Sequence, residues 1–297
     1  MARIELQGAF TALVTPFSSD GAEIDWAAFE ALVAGQLEGK ISGLVPCGTT
    51  GETPTLSDAE QREVIQRAAA LVKGRVPIIA GTGTNNTKKS IDYSKAALEA
   101  GADAVMIVMP YYNKPSQLGM QRHVELIAKA VSAPIVLYNI PGRSGVELSV
   151  ESTLALLDSC PNLVAVKDAT GNVNYCQDLK RVAGERVTVL SGDDPLTLPL
   201  MSVGASGVIS VTSNVYPKDV SEYVADALAG RWETARSKHF KMLPVHRALF
   251  IEPNPQPTKA VLALKGRMSA AVRPPMVEAS ETTRRTLAEV IASYEAQ

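Results

Sequence analysis

The chain is poor in the residues that build metal and disulfide sites. Its 297 residues include three cysteines, Cys47, Cys160 and Cys176, and three histidines, His123, His239 and His246. No CxxC pair or HExxH motif occurs, so neither a disulfide framework, a zinc knuckle nor a histidine-based metal site is expected. An excess of charge is missing too: 29 Lys and Arg stand against 31 Asp and Glu, for a net charge of −2. That balance argues against nucleic acid or an anionic membrane surface as a partner. No apolar run approaches the roughly 20 residues of a membrane-spanning helix, and the start, MARIELQGAF, lacks a signal-peptide pattern. A soluble cytoplasmic protein is expected. A hydrophobic content of 46% with 20% charged residues is that of a globular chain.

Short β-branched runs bounded by Gly, Pro or Asn begin at Ala9, Gly43, Val76, Ala104, Pro134, Leu163, Val187 and Gly207. They predict about eight strands. Helix-length segments lie between them, with apolar residues three and four apart, such as Trp26, Phe29, Leu32, Val33 and Leu37. Strands apolar on both faces and joined through helices are parallel and covered on both sides. Eight such units over roughly 220 residues fit an α/β fold of the (β/α)8 TIM-barrel type better than an open doubly wound sheet. Asp25, Ser57 with Glu60, and Ser149 stand where helix caps belong. Past Tyr216 only helical patterns follow, so residues 1–229 are expected to form the barrel and 230–297 a C-terminal helical domain. The prolines of IEPNPQP (251–257) are expected to exclude helix and impose an extended or turning path.

In such a barrel the C-terminal strand ends build the active site. GTTGET, with Thr49 and Thr50, ends the second strand; it is either a plain loop or a turn whose N–H and hydroxyl groups hold a carboxylate or phosphate. It lacks P-loop spacing. Lys167 follows Leu-Val-Ala-Val on a buried strand. It either pairs with Asp168, snorkels out of the barrel end, or loses its charge and becomes a nucleophile able to form a Schiff base. Tyr138, at the end of strand five, is either a half-buried core residue or a proton donor and acceptor, a job open because no histidine lies at a strand end. Arg143, in a Gly-flanked loop, suits a substrate carboxylate or simply faces solvent. The Tyr111–Tyr112 doublet suits an oligomer contact as well as a catalytic element. Cys47, near the GTTGE turn, is either an inert core residue or an oxidation-sensitive thiol.

GTTGE, PYYNKPSQ, LYNIPGRSG, VKDATGN, SGDD, GVISVTSNVYP and EPNPQPTK, in this order over nearly the whole chain, resemble the dihydrodipicolinate synthase family. The resemblance implies a (β/α)8 barrel with a C-terminal helical domain and a homotetramer, a dimer being the alternative. It also implies condensation of pyruvate with L-aspartate 4-semialdehyde in the diaminopimelate route to lysine. Lys167 would form the imine, and Tyr138 would move protons, linked through Thr49 to Tyr112 of a neighbouring subunit. Thr50 and the Ile209 main chain would hold the pyruvate carboxylate, and Arg143 that of the semialdehyde. The imine is the electron sink, so no metal or organic cofactor is implied. Related N-acetylneuraminate lyases and 2-keto-3-deoxy-sugar-acid aldolases would share the Thr, Tyr and Lys set; Arg143 favours a small second carboxylate over a polyhydroxylated chain. Lysine-sensitive bacterial members carry histidines after GTTGE and an acid on the helix after GTGxN. Here Asp58, Gln61 and Lys89 fall at those positions, so weak or absent lysine feedback is expected.

Overall fold

The computed structural model describes residues 4–297. Eight parallel strands carry the fold: β1 (Gly8–Ala12), β2 (Gly43–Val45), β3 (Ile79–Gly81), β4 (Ala104–Val108), β5 (Ile135–Asn139), β6 (Leu163–Asp168), β7 (Thr188–Ser191) and β8 (Gly207–Ser210). Their order is β2-β1-β8-β7-β6-β5-β4-β3. A parallel bridge between Leu44 and Ile78 and a bond from Gly81 N–H to Pro46 C=O (3.0 Å) join β2 to β3. The sheet is therefore a closed barrel, and each of the eight runs expected from the sequence supplies one strand.

Alternation along the strands makes two cores. Phe10, Val45, Ile79, Met106, Val136, Tyr138, Ala165, Leu190 and Ile209 pack inside the barrel. The intervening residues, among them Ala9, Leu44, Val105, Leu137, Val166 and Val208, pack outward against the helices. Those helices begin with α1 (Trp26–Glu38), α2 (Asp58–Val72), α3 (Thr87–Glu99) and α4 (Gln117–Ala130). A short α5 (Pro141–Ser144), α6 (Val150–Ser159), α7 (Val173–Ala183), α8 (Thr197–Ser202) and α9 (Pro217–Leu228) complete the ring. The expected caps are in place: Asp25 accepts from Ala28 N–H, Ser149 from Ser152 N–H, and Ser57 forms a reciprocal capping box with Glu60. Each is worth about 1 kcal/mol.

The C-terminal helices are α10 (Trp232–Ala248), α11 (Gln256–Leu264) and α12 (Glu281–Glu295). They dock on the barrel through Tyr216, whose hydroxyl donates to Glu295 Oε1 (2.9 Å) and whose ring meets that of Tyr294. Arg267 also donates to the Val215 carbonyl (2.9 Å). One expectation is corrected here. The 251–257 segment does not exclude helix throughout, because α11 starts at Gln256 with Pro257 in its first turn. A proline there removes an N–H that would have had no partner in the helix, and its fixed φ suits the first turn.

Candidate active site

Strand register builds the centre of the site. Lys167 on β6 and Tyr138 on β5 are directly paired positions, and both point into the barrel. The Lys167 ammonium lies 4.1 Å from the centre of the Tyr138 ring. Asp168, one residue on, points to the opposite face, as strand geometry requires. Its Oδ1 accepts from Thr170 N–H (2.9 Å), and it does not pair with Lys167. Lys167 makes no ion pair among the described residues, and it is only 5% exposed. Burial brings its pKa down to about 7; Asp194 opposes the shift, and the Arg143 charge adds to it. Burial thus favours the neutral, nucleophilic amine over the ammonium.

Two residues absent from the expected set shape this lysine. Gly192 leaves space for its stem: a β-carbon there would sit 3.0 Å from Lys167 Cε and 2.9 Å from Ala169 Cβ. Asp194 is a buried carboxylate held by the Ser210 hydroxyl and by the N–H groups of Val211 (2.8 Å) and Thr212 (3.2 Å). Burial raises its pKa, and those hydrogen bonds and the Lys167 charge oppose that rise. Both residues stand in the SGDD run after β7, and two acids behind a glycine at a barrel strand end were the available signal.

Burial pushes the Tyr138 phenol up to about 12, against the opposing effects of the Arg143 charge and the Thr49 side chain. A cavity of about 420 Å³ opens beside it, lined by Thr49, Tyr111, Tyr138 and Arg143. Arg143 lies on α5 with its side chain exposed at the mouth. Thr50 lies behind the turn, buried, and Ile209 on β8 belongs to the interior cluster that contains Tyr138. Thr49, Tyr138 and Arg143 thus share this cavity, and Lys167 lies against the Tyr138 ring inside the barrel. Tyr112 does not join them within one chain: it has a left-handed backbone (φ 72°) and projects its ring outward, 89% exposed.

The same cavity extends to Asp58, Gln61, Lys89 and Tyr93. The Tyr93 hydroxyl donates to Asp58 Oδ1 (2.6 Å), and the Lys89 ammonium sits 5.0 Å from the Tyr93 ring. Cys47 is buried beneath the turn, where desolvation pushes its thiol up to about 12 and keeps it protonated. Among the described residues, no group of three or more His, Cys, Asp and Glu side chains is placed to hold a metal ion, and no helix is long and apolar enough to cross a membrane.

A buried lysine with a lowered pKa inside a (β/α)8 barrel, with a phenol at hand and a cation at the mouth, defines an imine-forming type of site. The Dihydrodipicolinate synthetase family model matches residues 5–294, and the chain belongs to that family. It is 57% identical over 297 residues to the 4-hydroxy-tetrahydrodipicolinate synthase of Sorangium cellulosum, covering all of this chain and 99% of that one. Its identity to the synthase of the same name from Nitratidesulfovibrio vulgaris strain DP4 is 44%, covering 98% and 99% of the two chains. Among solved structures it matches dihydrodipicolinate synthase from Aquifex aeolicus (41% identity, 98% of each chain, TM-score 0.95). It also matches the chloride-inhibited enzyme from Acinetobacter baumannii complexed with pyruvate (41% identity, 98% and 99% coverage, TM-score 0.96).

Proposed function

We propose that this chain is a 4-hydroxy-tetrahydrodipicolinate synthase, condensing pyruvate with L-aspartate 4-semialdehyde through an imine at Lys167. The observation that carries the chemistry is the buried, unpaired Lys167 amine held against the Tyr138 ring. The relatives' shared name supports the substrate pair.

The neutral amine adds to C2 of pyruvate and water leaves, giving a protonated imine. That cation draws electrons from C3, which loses a proton to become an enamine. The enamine carbon attacks the aldehyde, and the resulting alkoxide takes a proton. The semialdehyde's own amine then attacks the imine carbon, closing the ring and freeing Lys167. Tyr138 donates and accepts these protons, with Thr49 beside it. Thr50 and the Ile209 main chain hold the pyruvate carboxylate, and Arg143 holds that of the semialdehyde. The lysine supplies the electron sink, so the cycle draws on no metal or organic cofactor.

The outward Tyr112 ring on a left-handed backbone supports an assembly in which a second copy receives it; a homotetramer, as a dimer of dimers, is our reading, with a dimer as the alternative. Residues 1–229 then act as the catalytic unit and 230–297 as a helical unit docked on it, working in the cytoplasm. The test is borohydride reduction with pyruvate followed by peptide mapping, repeated with semialdehyde present. A pyruvate-dependent adduct at Lys167 that semialdehyde diminishes is the expected result. An adduct that semialdehyde leaves untouched moves the chain toward the sugar-acid aldolases, and the absence of an adduct makes Lys167 a structural charge.

A further inference from the structure

The turn that carries Thr49 and Thr50 is held from the far end of the chain. Asn254, just before α11, donates from Nδ2 to Thr50 Oγ1 (2.9 Å). Three residues into α11, Lys259 is fully buried and meets Glu52 Oε1 at 2.5 Å, while its ammonium also donates to the Ala271 carbonyl (2.9 Å). The other Glu52 oxygen accepts from Arg273 N–H (3.0 Å). Glu52 has a left-handed backbone (φ 55°), a conformation that costs a non-glycine residue energy and persists only where surroundings hold it. Lys259 and Arg273 supply that hold.

Within this frame the Asn254 side chain has one polar partner. Its Oδ1 is buried and without a partner among the described residues, so the bond to Thr50 is the only hydrogen bond made by an amide that is 5% exposed. A threonine hydroxyl has one proton to give and lone pairs to receive. With Asn254 donating into the oxygen, the Thr50 proton is left to point elsewhere, and an anionic carboxylate is the natural acceptor for it. We propose that Asn254 is a positioning residue for pyruvate: it fixes the Thr50 hydroxyl as a donor toward the substrate carboxylate. This rests on the reading of Thr50 given above. Asn254 itself touches no substrate.

The test is a double-mutant cycle on steady-state kinetics. Asn254→Ala is expected to raise KM for pyruvate about tenfold, with kcat changed by less than about twofold and Lys167 still trapped at saturating pyruvate. Asn254→Asp, nearly isosteric, presents a carboxylate that captures the Thr50 proton, and its KM is expected to rise further. It serves as the test variant if the alanine variant does not fold. Thr50→Val alone is expected to raise KM, and adding Asn254→Ala to it is expected to change nothing more. An unchanged KM in both Asn254 variants overturns the proposal. So does a double variant whose KM rises by the product of the single effects, because a merely structural asparagine acts independently of the hydroxyl. If wild-type protein traps pyruvate at Lys167 but Thr50→Val leaves KM unaltered, the role of Thr50 fails and this proposal with it. If wild-type protein traps no pyruvate, the imine reading fails first.

Discussion

Two lysines are buried in this fold, and they do opposite things. Lys167 and Lys259 each place an ammonium over an aromatic ring, Tyr138 at 4.1 Å and Phe17 at 3.9 Å. Burial lowers both pKa values, to about 7 and about 8. Lys259, however, has Glu52 and the Ala271 carbonyl as partners, and Glu52 raises its pKa against the desolvation. Lys167 has only the distributed influence of Asp194, whose oxygens are already taken by Ser210, Val211 and Thr212. Burial therefore supplies the lowered pKa in both, and the missing partner is what leaves one amine free to react.

The comparison is broken most sharply by exchanging function for stability. Lys167→Met is expected to lower turnover at least about a thousandfold, roughly 4 kcal/mol of barrier, while leaving the unfolding free energy unchanged or higher. Lys259→Met should do the reverse, losing about 3–5 kcal/mol in denaturant unfolding because Glu52 is left buried and unpaired. Arg143→Ala, which removes a cation at the mouth and no buried partner, is expected to raise KM for the semialdehyde about tenfold to a hundredfold with little effect on unfolding. A further effect follows from pH. Between about 7 and 10.5 the unfolded chain holds a proton on Lys167 that the folded chain lacks, so folding stability rises with pH across this window. The stability difference between wild type and Lys167→Met should accordingly move in favour of wild type as pH rises, as urea titrations at pH 7 and 10 would show. The same ionisation makes kcat/KM for pyruvate climb through pH 7. Smallest of all is the response to L-lysine: with Lys89 facing the cavity beside Tyr93, millimolar L-lysine is expected to inhibit a purified sample less than twofold.

The legible and illegible parts of this molecule divide by distance along the chain. The eight strands were readable because each is a short apolar run closed by Gly or Pro, and the caps at Asp25, Ser57 and Ser149 because capping is decided within three residues. Lys167 stood out as a charge on an apolar strand. The choice between a pair with Asp168 and a free amine was settled by strand alternation, which turns Asp168 outward. Asn254 and Thr50, 204 positions apart, carry no local mark of their contact. Neither do Glu52 and Lys259, although both lie inside motifs that the sequence displays. Gly192 was hidden for another reason: its contribution is the space it leaves, which only the neighbouring lysine stem makes visible. Pro257 misled because a proline excludes helix from an interior but suits a first turn.

The long reach of Asn254, Lys259 and Arg273 also bears on how the protein is made. Synthesis delivers the Thr49–Glu52 turn early and the residues that hold it some two hundred positions later. A nascent chain released from the ribosome through β8 has every barrel strand, yet its Glu52 side chain lacks both the Lys259 ammonium and the Arg273 N–H that lie further along the chain. Contacts of such separation slow folding as well as delay it. All eight strands are thus synthesised before the residues that hold the Thr49–Glu52 turn, and that hold is supplied by the last segments of the polypeptide.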